Sequence, residues 1–404
     1  MVSFGLTNFP MKRFNPLLPS FWQTRLSFIQ KKLGGVSGRI YIPAVIQSQV
    51  TIFLLALSVF PPAVFSRVLP DTAKEALFLL GLEKTAAERF SEADSLFRAL
   101  VKAEPGDPWG HFFWAVEIAA RMMDAEQDSF SPAFSIQLSI AQQLAEKQLK
   151  KLKKEKKEKE RPDLFLLMGN IWGYRAIYEH RKGYWLGGLQ AGLKAKKNFE
   201  RALALDSSLY DAYNGLGNYN FWKSQRTRKF LVSTLVKDER ELGIEQLIWA
   251  KERGYFSRPA AAASLVWALI SEKNYAWAQA LADSLVAAYP EAKSPLWAKG
   301  TLYHERKMWD SSAAVFSNLL RRLEADSSQS GFNLVECRFR LANAYYQSGH
   351  YEAALRECQT AKNYTLSSKN KKRLRKRFEN LSEISKKIQK ALAQKKSDGH
   401  QSYR

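Results

Sequence analysis

Cysteine is scarce: Cys337 and Cys358 are the only two in 404 residues. This excludes a disulfide scaffold and most thiolate metal sites. Histidine is scarce and scattered, and His111, His180, His304, His350 and His400 form no HxxxH or HExxH spacing. Phosphate loops, GxGxxG turns and GxSxG elbows are missing as well. Carboxylates are plentiful, but they fall mostly on the solvent faces of helical patterns. No catalytic residue, cofactor site or metal site is assigned, and a non-catalytic protein is expected. Long apolar runs are also missing, apart from one of eleven residues, so a multi-pass membrane protein is excluded. Strand-like alternation is absent from about residue 72 onward.

Acidic residues are missing from the first 70 positions, which carry seven basic ones and so +7. The whole chain has 62 Lys and Arg against 39 Asp and Glu, a formal charge of +23. Such a charge invites a nucleic-acid or membrane partner. Its distribution argues otherwise. Residues 146–161, EKQLKKLKKEKKEKER, hold +5 and residues 366–404 hold +10. The remainder is nearly neutral, so the charge belongs to appendages of a neutral body.

Residues 1–40 form a basic N-terminal extension that mixes Phe, Pro and basic residues. The apolar run VTIFLLALSVF, residues 50–60, lies within residues 41–66 and is broken by Pro61-Pro62. With basic residues upstream and Val64 and Ser66 beyond, it reads as a signal peptide or a retained membrane anchor. Either implies an exported protein of the cell envelope, periplasmic or membrane-associated.

Between residues 71 and 365 the chain reads as helix after helix. Apolar residues recur at steps of three and four, with proline and glycine between the runs. A unit repeats. Its clearest copy, FNLVECRFRLANAYYQSGHYEAALRECQTA, carries Leu341-Ala342, Tyr345, Gly349, Tyr351, Ala354 and Ala361. Other copies show Leu80-Gly81 with Phe90, Ala93 and Phe97, Leu265-Val266 with Tyr275 and Ala278, and Gly300 with Trp309, Ser312 and Phe316. Met168-Gly169 with Phe199 and Ala202, and Leu216-Gly217, mark further copies. Val266 to Gly300 is a step of 34 residues, whereas Gly169 to Gly217 is 48 and Gly217 to Val266 is 49. The long steps require longer helices or inserted loops, including RTRKFLVSTLVKDER. Residues 107–145 are helical in pattern but match the unit poorly.

The unit resembles the tetratricopeptide repeat (TPR), a helix–turn–helix of 34 residues. The resemblance implies an all-α fold, a right-handed superhelix of antiparallel helix pairs, a TPR-like α-solenoid. Small residues sit where paired helices cross closely, and aromatics fill the space around the crossing. Residues 366–404 follow as a basic amphipathic capping helix and tail. Its stripe of Leu374, Phe378, Leu381, Ile384, Ile388 and Leu392 would cover the last exposed repeat face. The 146–161 run would extend one helix of the array, as a solvated helix end or a contact for phosphate groups.

The resemblance also implies a binding surface. The family lines its inner wall with first-helix positions near the small-residue marker. In this sequence these are Asn170, Tyr174, Asn214, Asn218, Phe221, Trp222, Trp297, His304, Asn343 and Tyr346. Side-chain amides there can bond both the N–H and the C=O of an extended peptide. The lysines and arginines of the family's carboxylate clamp are missing at matching positions. The reading is a TPR scaffold for protein or peptide partners. The alternative is a basic helical protein that binds nucleic acid or a membrane surface, through segments outside the neutral body.

Overall fold

The computed structural model describes residues 72–228 and 237–401, with side chains from residue 73 to residue 390. The extension at 1–40, the signal or anchor at 41–66 and most of the apolar part of RTRKFLVSTLVKDER lie outside the described residues. Among the described residues, α-helices make up nearly all the regular structure. They are α1 (Thr72–Ala86), α2 (Phe90–Ala103), α3 (Pro108–Ala125), α4 (Ser131–Lys154), α5 (Pro162–Lys182), α6 (Trp185–Leu205), α7 (Ala212–Thr227) and α8 (Arg240–Arg253). There follow α9 (Arg258–Ser271), α10 (Tyr275–Ala288), α11 (Ser294–Glu305), α12 (Trp309–Ala325), α13 (Gly331–Gln347), α14 (Tyr351–Ala361) and α15 (Ser368–Gln401).

Local sequence sets the ends. Proline opens α3, α4, α5, α9 and α11 in the first turn, where its missing N–H costs nothing. Asp107 caps α3, its carboxylate accepting from the Trp109 amide at 3.1 Å. Residues 107–145, a poor match to the repeat, nevertheless form the full pair α3–α4.

Consecutive helices pack as pairs, α1–α2 to α13–α14. Every pair but α7–α8, whose connection is only partly described, turns on a residue in the left-handed region, and the placement recurs. Seven residues after the markers Gly81, Val266, Gly300 and Ala342 come Glu88, Lys273, Lys307 and Gly349, all with positive φ. Nine residues further come Phe97, Ala282, Phe316 and Cys358, each almost wholly buried. The marker and this last residue meet at the crossing and compensate in volume. A Cβ on Gly81 would stand 2.6 Å from the Phe97 ring, and one on Gly300 2.8 Å from Phe316. Where the marker is Val266 the partner shrinks to Ala282; opposite Ala342 stands Cys358. Both cysteines are buried free thiols.

In α5–α6 the turn residue Gly183 comes fourteen residues after Gly169, and Phe199 sixteen after that. Each helix has gained seven residues, close to two turns, which returns the same face to the core. The long step from 169 to 217 is therefore longer helices. Phe199 still fills the crossing, and also abuts Gly215 of α7.

Odd-numbered helices also touch one another in succession, α1 to α3, α3 to α5, α5 to α7, α7 to α9 and α9 to α11, forming a common wall. One apolar core runs from α1 to α7, and further clusters continue it through α9–α11, α12–α13 and α13–α15. On α15, Leu374, Leu381, Ile384 and Ile388 are buried, with Phe378 packed beside them. The basic run at 146–161 is split: α4 stops at Lys154 and a 3-10 turn spans Glu158–Glu160.

Candidate functional site

The predicted inner-wall residues fall into two groups. The first lies on α5 and α7, and the packing of the array consumes much of it. Asn170 turns back on its own helix, its Nδ2 donating to Leu166 O at 3.1 Å. Asn218 Nδ2 donates to Asn214 O at 2.9 Å and to Ser264 Oγ of α9 at 3.1 Å. Asn218 thus ties α7 to α9, whereas Asn170 stays within α5. Tyr174 sits edge-on to Phe112 at 5.8 Å, and burial pushes its phenol up to about 12. Phe221 is not a groove residue, since it is fully buried. The reason is local. Gly217 and Gly243 let α7 and α8 meet at backbone contact, and a Cβ on Gly217 would lie 2.8 Å from Gly243 O. Phe221, one turn beyond Gly217, shares the face turned to α8. Trp222 stands perpendicular to it at 4.9 Å and remains half-buried.

The second group lies on α11 and α13, where Trp297, His304, Asn343 and Tyr346 are all half-buried. Trp297 packs edge-on to Phe316 at 6.0 Å, and Tyr346 lies 6.0 Å from Tyr351. His304 rests against Trp309 at 5.1 Å, and its Nδ1 is buried with no hydrogen-bond partner among the described residues. Desolvation, then Arg340 and Arg377, lower its pKa to about 4. At neutral pH this imidazole is therefore uncharged and offers an acceptor.

The arginines are residues that sequence reasoning missed. Arg340 Nε bonds Glu336 at 3.0 Å, and Arg377 Nε of α15 reaches Glu336 at 2.7 Å. The first contact has a sequence signal in its four-residue spacing. The second has none, because α15 brings Arg377 from outside the repeat pattern.

The structure also contains a seam joining distant parts of the array. Glu88, in the α1–α2 turn, accepts from the amides of Lys293 at 2.8 Å and Ser294 at 2.8 Å. Its carboxylate thus stands at the N-terminus of α11, which has no side-chain cap of its own. Lys293 Nζ lies 3.3 Å from Glu88, 3.1 Å from Asp124 and 2.9 Å from Asp326. Desolvation and the neighbouring Glu88 push Asp124 up to about 7, against the pull of Lys293. Ser330 N bonds Ala125 O at 3.1 Å, Asn333 Nδ2 bonds Asp124 O at 2.6 Å, and Arg373 pairs with Glu126 at 3.0 Å. Phe256, just before α9, stacks edge-on to Trp109 and Phe113 of α3, and α9 touches α1.

Among the described residues no group of His, Cys, Asp and Glu has the geometry of a metal site. No described helix is long and apolar enough to cross a membrane.

No protein-family model matches the sequence, and no curated protein does. Solved structures give distant likenesses. One is a chain of the APC/C hetero-tetramer Cut9-Hcn1, 12% identical over 67% of this chain and 42% of that one, with a TM-score of 0.44. This chain thus spans less than half of that one. Another is PilW, described as a widely conserved type IV pilus biogenesis factor, 12% identical over 75% of this chain and 99% of that one, TM-score 0.37. A third is yeast Tom70, 16% identical over 75% of this chain and 62% of that one, TM-score 0.34. The chain's own periodic marker, turn and crossing residues make it an all-α, TPR-like array of antiparallel helix pairs.

Proposed function

We propose that the protein is an exported or envelope-associated scaffold that holds an extended segment of a partner protein, without catalysing a reaction. The observation that carries this reading is the half-buried row of Trp297 and His304 on α11 with Asn343 and Tyr346 on α13. Asn343, one turn along α13 from Arg340, adds an amide with both donor and acceptor. Tyr346 adds an aromatic face a further turn along. The export half of the proposal rests on the apolar run with its basic flank.

Two experiments test it. A photo-crosslinking residue at Tyr346, in the native producer, is expected to capture a discrete partner, and Asn343→Ala to reduce capture about tenfold, the scale of one hydrogen bond. Equal capture in both proteins overturns the assignment of this wall. N-terminal sequencing of the mature chain from the envelope fraction tests export, and a cytoplasmic chain beginning at Met1 overturns it.

A further inference from the structure

The α5–α6 hairpin is built inside out. Over its two added turns, Gly187 and Gly188 face α5, with Cβ positions 3.7 Å from Glu179 Cγ and 3.2 Å from Ala176 O. Gly192 faces Tyr219 at 3.5 Å. The large apolar residues point the other way. Tyr184 and Trp185 are 65% and 69% exposed, and Leu186, Leu189, Leu193 and Ile177 about half exposed. Trp185, Leu189 and Leu193 follow at steps of four, so they share one helix face. A water-soluble helix buries such a face and exposes its small and polar residues. Contiguous apolar surface of this kind marks a contact site.

The chemistry around the patch selects the partner. Residues 180–199 contain no acid, though Glu179 and Glu200 flank them. Arg181 is paired with Glu126 and Asp128, and Lys196 with Glu200; Lys182, Lys194 and Lys197 remain for a charged surface. Lys182 Nζ lies over the Tyr178 ring at 4.4 Å, and Lys194 Nζ over Trp172 at 4.1 Å. The ammonium groups are thus held along the flanks of the hairpin. An aromatic and leucine tip with cations set back from it fits a bilayer interface, with rings at the acyl boundary and lysines among anionic headgroups. The seven added residues per helix lengthen the hairpin by roughly 10 Å, comparable to the depth of interfacial insertion.

We propose that the tip of the α5–α6 hairpin, Tyr184, Trp185, Leu186, Leu189 and Leu193, inserts into the interface of an anionic lipid bilayer. This contact is separate from the basic segments at 146–161 and 366–404 and from any anchor at 41–66.

The test uses the full chain with an environment-sensitive thiol dye at Leu186→Cys. Both native thiols are buried, so the dye reports the tip. A second protein carries the dye at Ser327→Cys, an exposed site in another loop. With vesicles of phosphatidylcholine containing phosphatidylglycerol, the dye at 186 is expected to shift to the blue and to be quenched by brominated acyl chains. The dye at 327 stays unchanged, and pure phosphatidylcholine has much less effect. Trp185→Ser with Leu189→Ser weakens the response on the order of tenfold or more, while the thermal midpoint is retained, as expected of exposed positions. Vesicle binding without a response at 186, or an equal response at both sites, overturns the proposal. A shift that depends on protein concentration without vesicles also overturns it, and assigns the face to a second copy of the chain.

Discussion

Lys293 is the residue on which the seam depends. Its ammonium group serves Glu88, Asp124 and Asp326 in a site where all but Asp326 are nearly sealed from water. Lys293→Met leaves three carboxylates facing one another, and is expected to cost roughly 3–5 kcal/mol, measured by chemical denaturation. The same site sets a pH dependence. Burial and the neighbouring Glu88 raise the Asp124 carboxyl in the fold to about 7, against an ordinary value of 3.8. Its contribution is present at low pH and is lost as pH rises from about 4 through 7. Glu117, buried beside Arg121 and also raised to about 7, acts in the same direction. His304, lowered to about 4, acts oppositely, since its contribution is lost as pH falls below 6.5. Asp124→Asn is therefore expected to flatten the decline in denaturation midpoint between pH 5 and 8. His304→Gln should flatten the decline between pH 6.5 and 4.

At the scale of the helices, the crossings decide stability. A Cβ on Gly169 would lie 2.5 Å from the Phe199 ring, whereas one on Gly173, a turn away on α5, meets nothing within 4 Å. Gly169→Ala is expected to cost about 1–3 kcal/mol through overpacking. Gly173→Ala should be neutral or stabilising by up to about 1 kcal/mol from helix propensity. Comparing the two thermal midpoints checks the assignment of Gly169 as a crossing residue. Such crossings were legible in the sequence because close approach demands a small residue opposite a large one, at a fixed step. The α3–α4 pair was harder to read because the usual step from marker to partner is not kept there. Phe221 was misread because the inner-wall assignment presumed that α7 and α8 meet as other pairs do. The Gly217–Gly243 contact brings their backbones together and turns Phe221 inward.

Across the whole array, the seam makes stability non-local. An open repeat array transmits a perturbation mainly to its neighbours. Here Glu88 belongs to the first pair, yet it holds two amides more than 200 residues away. Glu88→Ala is expected to speed hydrogen exchange at Lys293 and Ser294 by roughly ten- to a hundredfold. It should do so with less effect on the α5–α6 crossing, although that lies closer in sequence. Confinement of the change to α1–α4 would contradict the seam. Nothing in the local pattern disclosed it, because Glu88, Asp124 and Asp326 look like ordinary turn and helix-end carboxylates. Only the packing of distant helices brings them to one lysine.

The seam also bears on how such a chain can change over evolutionary time. Repeat arrays commonly gain or lose units by duplication and deletion, since each new unit needs only a neighbour. In this protein Glu88 must meet the start of α11, so the number of helix pairs between them is fixed by a contact. One extra 34-residue unit in that interval would move Lys293 one step along the wall and strand three carboxylates. Insertions that respect the clasp must instead lengthen helices by whole turns, as in α5 and α6, or lie outside the interval that it spans.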